Sequence, residues 1–156
     1  MVTLLITGSP LVEGRRIEIV KENFKTQVCS QMPKYPLAVG LAGGSIWKDG
    51  KFSICGGRDS SNKRYSKCYL MENGEWKLSG KLQTARIHHG ASNIGNSIWI
   101  TGGWSNNDRV ASTEIIHSDG KITPGPDLPE ARRWHCQLSY EQSTFIIGMC
   151  ISLPIL

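Results

Sequence analysis

An all-β fold built from repeated four-stranded antiparallel units is the expectation, and three observations carry it. The first is composition: 17 glycines, 7 prolines and 5 tryptophans in 156 residues, with no long apolar stripe at helical spacing, favour many short strands joined by tight turns. The second is a repeat: Ser97-Ile98-Trp99-Ile100-Thr101-Gly102-Gly103 reproduces the pattern of Lys51-Phe52-Ser53-Ile54-Cys55-Gly56-Gly57 found 46 residues earlier. The third is turn chemistry that recurs with the same period, Asn73-Gly74 matching Asp119-Gly120.

Taken in order, the first copy of the glycine-ended strand is Leu4-Leu5-Ile6-Thr7-Gly8, 48 residues before Gly56, with Phe24 at a shifted spacing in the slot later filled by Trp76. The second and third copies end in Gly56-Gly57 and Gly102-Gly103, and the fourth is Phe145-Ile146-Ile147-Gly148. Between them, Leu82, Ala85, Arg86 and His89 keep step with Leu128, Ala131, Arg132 and His135, again at 46 residues. Turn signals divide the period that follows into strands at 89–94, 97–101, 112–116 and 121–123. Asn93-Ile94-Gly95-Asn96 turns the first pair, and Ser105-Asn106-Asn107-Asp108 turns the second. A four-stranded antiparallel unit every ~46 residues is the size of one β-propeller blade.

These residues resemble the kelch family. The resemblance rests on apolar strands running into the two diglycines and on an aromatic or apolar residue twelve positions beyond, Tyr69 or Ile115. The Trp76 slot and the Arg86/His89 and Arg132/His135 pairs complete it, and it covers nearly the whole chain. It implies kelch-type β-propeller blades, about three of them, with the ring incomplete, because closure takes ~4 to 8 blades. Residues 1–29 then end a first, degenerate repeat, 30–79 and 80–127 are repeats, 128–149 begin another, and 150–156 are an atypical apolar tail. The chain departs from the family pattern at Gly8-Ser9 and Gly148-Met149, which replace diglycines, and at 36–42, which lacks the Arg/His pair. Open sheet faces and edges imply either a piece of a longer propeller or self-association through those edges.

The motif residues have structural tasks. Strands covered on both faces read as near-continuous apolar runs such as Ile98-Trp99-Ile100, and Tyr69, Trp76 and Trp99 are expected between blades. Gly56, Gly57, Gly102 and Gly103 admit a positive φ or a close backbone approach. Arg86 and Arg132 have the donors to tie the loop before each blade to backbone carbonyls, and their repeat positions assign His89 and His135 to packing rather than to metal or acid–base chemistry. Cys55 and Cys68 flank the hairpin loop symmetrically, so strands paired in register set them face to face. Two states are open there: a cross-strand disulfide in an oxidising, extracellular setting, or two reduced thiols in the cytoplasm, where the commoner family type resides.

Functionally, the residues point to binding rather than catalysis. No HExxH, GxSxG or P-loop sequence occurs, the carboxylates do not pair, and no metal or cofactor set is apparent. The net charge of +5 comes from 18 basic and 13 acidic residues scattered without a run, which argues against nucleic acid, and no apolar stretch approaches the ~18 residues of a membrane span. The loops after the diglycines are polar and unlike each other, which marks Arg58, Asn62, Lys63, Arg64, Trp104, Asn106 and Arg109 as candidates for contact with a protein partner. The resemblance implies a protein-interaction scaffold, of the kind that recognises substrates for ubiquitin-ligase adaptors. The alternatives are an extracellular kelch-like module and the remnant of a kelch-fold carbohydrate-active enzyme.

Overall fold

Each diglycine terminates the second strand of an antiparallel meander. The computed structural model describes residues 33–148 and the backbone of three short strands before them, and the described residues are all-β, without a helix. Those first strands, β1 (Thr3–Leu5), β2 (Glu18–Val20) and β3 (Thr26–Val28), pair antiparallel in sequence order. The next sheet holds β4 (Gly43–Ile46), β5 (Phe52–Cys55), β6 (Lys67–Glu72) and β7 (Glu75–Lys81), also in sequence order. A two-stranded ribbon, β10 (Trp104–Ser105) and β11 (Asp108–Arg109), is inserted in the sheet of β8 (Gly90–Ile94), β9 (Ser97–Thr101), β12 (Thr113–His117) and β13 (Ile122–Gly125). A final hairpin pairs β14 (Cys136–Tyr140) with β15 (Ser143–Ile147). The expectations placed on Ile6 to Ser9, Phe24 and the tail from Met149 onward lie outside the described residues.

Turn residues set these registers. Asn73 and Gly74 both take positive φ, 52° and 78°, the two-residue hairpin geometry whose twist suits antiparallel strands. Asn106 and Asn107 do the same at 45° and 63° and close the β10–β11 ribbon. Asp119-Gly120, although it occupies the same repeat slot as Asn73-Gly74, turns differently. There the Asp119 carboxylate accepts the Lys121 N–H at 2.9 Å, and of the two residues only Gly120 is left-handed, at 84°.

Strand limits differ from the expected ones by a residue or two, for local reasons. Strand β8 begins at Gly90 rather than 89 because His88 stands at φ 56°. Strand β12 begins at Thr113, and the Ser112 carbonyl just before it accepts both the Gly102 N–H and the Arg86 guanidinium. A further correction concerns Tyr69 and Ile115, which counting from the glycines makes equivalent. Tyr69 pairs with Ile54, but Ile115 pairs with Trp99, and Glu114 is the residue opposite Ile100. The connection from Thr101 to Thr113 is one residue shorter than that from Cys55 to Cys68, and one step in a strand exchanges the faces.

Alternation then decides what each face covers. Cys55 and Cys68 from one sheet meet Ile98, Ile100 and Ile116 from the next, with Leu82 of the connector, in one buried cluster. The opposite face of the first sheet buries Ile54 and Tyr69 against Tyr35, with Leu37, Val39 and Trp76 at its margin. Trp76 meets Tyr35 edge-on at 5.0 Å and donates to the Pro33 carbonyl at 3.1 Å. Full burial of one isoleucine side chain contributes about 1.5–3 kcal/mol, so the three between the sheets are the main apolar tie there. Trp99 is half-buried and lines a cleft toward Thr144 and Ile146 on β15. The far face of the last hairpin is uncovered: Leu138, Tyr140, Phe145 and Ile147 are 50–68% exposed.

Candidate interaction rim

The rim is held by a lock between each diglycine and the loop that leads into the next sheet. Gly57 donates its N–H to the Arg86 carbonyl at 3.0 Å, and Gly103 donates to the Arg132 carbonyl at 2.8 Å. Both partners are backbone, so there is no room for a side chain. A Cβ on Gly102, at φ 57°, would stand 2.6 Å from the Arg132 carbonyl oxygen and 3.0 Å from the His135 ring. A Cβ on Gly56 would meet the Arg86 carbonyl at 2.5 Å and His89 at 2.8 Å. The repeated glycines and the repeated Arg/His pairs are therefore two halves of one contact.

Arg86 also works forward, into its own sheet. Its fully buried guanidinium donates to the carbonyls of Gly102 (2.9 Å) and Ser112 (2.8 Å), to Ser112 Oγ (3.0 Å) and to Glu114 Oε1 (2.7 Å). Burial pushes its pKa below the usual arginine value, and the Glu114 carboxylate acts against that shift. Glu114 is itself buried and accepts the backbone N–H groups of Gln83 and Thr84 at 2.6 and 3.2 Å. Arg132 differs from the expectation of a tie to carbonyls. Among the described residues its ion pair is to Glu130 at 3.5 Å and its Nε is buried without a partner, and no third strand lies beside β15 there to present acceptors.

The two histidines of the motif bridge adjacent sheets. His89 Nε2 accepts the Gly43 N–H at 3.1 Å, and His135 Nε2 lies 2.9 Å from Thr101 Oγ1. Burial, then the charges of Arg86, His135 and His88, push His89 down to about 3, and burial followed by Arg132 lowers His135. An acceptor role for His89 requires the neutral ring, so acid works against the fold. Below the unfolded histidine pKa of about 6.5 the unfolded chain binds a proton that native His89 refuses, and stability falls by up to about 1.4 kcal/mol per pH unit. Thermal melts should therefore lose stability steadily from about pH 6.5 toward pH 4. His89→Gln, which keeps an acceptor but does not titrate, should reduce that slope and leave the share of His88 and His135, whose pKa values are also lowered; an unchanged slope would place the acid sensitivity elsewhere.

Cys55 and Cys68 stand opposite each other on β5 and β6, with Cα atoms 4.1 Å apart, and are joined in a disulfide. Both are 0–1% exposed. The bond stitches the strand that carries the diglycine to its neighbour. Among the described residues no three His, Cys, Asp or Glu side chains converge as a metal site.

On this frame, the loops after the two diglycines meet at one edge. Arg58 bonds Asn62 Oδ1 at 2.6 Å, and Arg64 reaches across to Asn107 Oδ1 at 3.1 Å, tying the first loop to the β10–β11 turn. Lys63 lies over the Tyr65 ring at 5.4 Å, while Asn62 and Asn106 are exposed at left-handed turn positions. Arg109 pairs through its backbone with Trp104, which also bridges to Ile87. The Arg133 guanidinium carbon lies 4.0 Å from the ring centroids of both Trp104 and Trp134. Trp134, 54% exposed, donates its indole N–H to His88 Nδ1. Burial and the charges of Arg133 and Arg58 hold His88 neutral, down to about 4.

Sequence reasoning reached Trp104 but not His88, Arg133 or Trp134. Their signal is positional. They fall between the Arg and the His of the motif, and the left-handed backbone at His88 and Trp134, with a bond from the Trp134 N–H to the His88 carbonyl at 3.0 Å, keeps successive copies side by side. Compared with protein-family models and with curated proteins, the sequence matches none.

Proposed function

We propose that the chain is a protein-interaction scaffold of kelch-type β-propeller blades, which binds a protein partner through the rim formed by the loops after its diglycines. The observation that carries this reading is the joining of side chains from successive sheets on that rim: Arg64 with Asn107, and Trp104 with Arg133 and Trp134. Trp104, Arg64 and Arg133 are half-buried and Trp134 is exposed, and tryptophan and arginine are the residue types that dominate binding energy at protein interfaces. The apolar face of β14–β15 supports self-association within the same reading.

The test is Trp104→Ala, measured against a partner captured by the wild-type protein. Affinity should fall by about thirtyfold, the effect of a strong interface anchor, with Tm within ~2 °C of wild type. A fall in Tm of several degrees with affinity preserved would make Trp104 a packing residue. A second reading, an extracellular kelch-like module, is favoured by the Cys55–Cys68 disulfide. Non-reducing peptide mapping of the native protein that finds both thiols free would dismiss it.

A further inference from the structure

We propose that Arg133, with the two indoles that flank it, is a carboxylate-binding subsite, and that the partner is a protein segment presenting an Asp or Glu side chain there. This rests on the rim being the interaction surface. A guanidinium is planar, with its N–H donors in the plane and its faces free to stack. Both Trp104 and Trp134 lie within stacking range of Arg133, while among the described residues it makes no hydrogen bond or ion pair. The donors remain for an acceptor from outside, and a carboxylate takes two of them at once in a bidentate pair.

The cluster is ordered before anything binds. Trp134 is fixed by its indole N–H on His88 and by its backbone N–H on the His88 carbonyl. Trp104 is held at its backbone by paired bonds with Ile87, at 2.8 and 3.1 Å, and its ring is covered by the Arg133 guanidinium. The hydrogen-bonded Trp134 indole has little rotamer freedom to lose on binding, which favours affinity. The neighbouring cations add to the attraction, since Arg58 lies close enough to act on His88 and Arg64 is held toward Asn107. Two carboxylates on the same loops restrict the choice of anion. Asp59 is engaged by the Ser61 hydroxyl, the Lys63 N–H and the Tyr65 hydroxyl, and Asp108 caps the Arg109 N–H. They repel a chain of phosphates tracking along the rim but leave room for a single acidic side chain at Arg133.

The experiment is selection of random linear peptides displayed on phage, using the intact protein, followed by calorimetry with the selected peptides. Wild type should select peptides with Asp or Glu at one fixed position. Replacing that residue by Asn or Gln, or Arg133 by Met, should each weaken binding tenfold or more, and the two changes together should cost little beyond either alone. Arg133→Lys, which keeps the charge without the planar fork, should recover only part of the loss. Selected peptides that lack acidic residues, or that bind Arg133→Met equally well while Trp104→Ala loses them, would remove the subsite and leave the rim reading intact. No selected peptide, or peptides indifferent to both tryptophans, would remove both. A duplex oligonucleotide that binds more tightly than any acidic peptide would overturn the choice of partner.

Discussion

Gly102→Val is expected to unfold the sheet of β8, β9, β12 and β13 and detach the β14–β15 hairpin from it. Two costs combine at this residue. A β-branched side chain is strained at φ 57°, and its Cβ would lie 2.6 Å from the Arg132 carbonyl, which also accepts the Gly103 N–H. Neither the carbonyl nor the following His135 can withdraw without breaking the contact between sheets. The loss should exceed about 4 kcal/mol, a large part of the stability of a domain this size. Gly95 supplies the control, because it has nearly the same φ, 58°, but open space around its Cβ. Gly95→Val should cost only the backbone strain, about 1–2 kcal/mol. Urea melts that rank the two variants equally would show that the close approach at Gly102 is not what the glycine serves.

Arg86→Met should destabilise nearly as much, by about 3–5 kcal/mol, because it leaves the Glu114 carboxylate buried without its cation. Tm should drop by something on the order of 10–20 °C. Glu114→Gln in the same background should restore part of the loss, since it removes the uncompensated charge while its single amide oxygen still accepts from one of the Gln83 and Thr84 N–H groups. Additive losses in the double variant would mean that the ion pair is not the coupling element, and that Arg86 acts through the Gly102 and Ser112 carbonyls alone.

What could be read in the sequence and what could not are separated by the repeat itself. Gly56, Gly102, Arg86, Arg132, His89 and His135 recur because the same contact is made twice, and recurrence is visible without coordinates. The symmetry of Cys55 and Cys68 about their loop was readable for the same kind of reason, as hairpin register follows from counting. Glu114 was not readable. It stands opposite Ile100 where the sheet of β4 to β7 has Tyr69 opposite Ile54, so the buried ion pair has no second copy to announce it. Counting from the glycines misled at Ile115, since one deleted loop residue shifts the strand without disturbing the glycines. The rim cluster was hidden differently. Arg133 and Trp134 are adjacent in sequence, but Trp104 and His88 join them only through the strand pairing that folds one loop over the next.

The lock joins a glycine of one sheet to an arginine carbonyl that precedes the next, and at Arg86 the side chain also grips the sheet that follows it. The module that can be copied or exchanged intact is therefore out of phase with the sheets. A cassette cut at sheet boundaries separates Gly57 from Arg86 and carries away half of each joint, whereas one cut within a sheet, ahead of the strand that ends in its diglycine, transfers both halves together. Duplications that lengthened such a chain would survive most readily with endpoints inside a sheet, and chimeras between its units should be designed with the same offset.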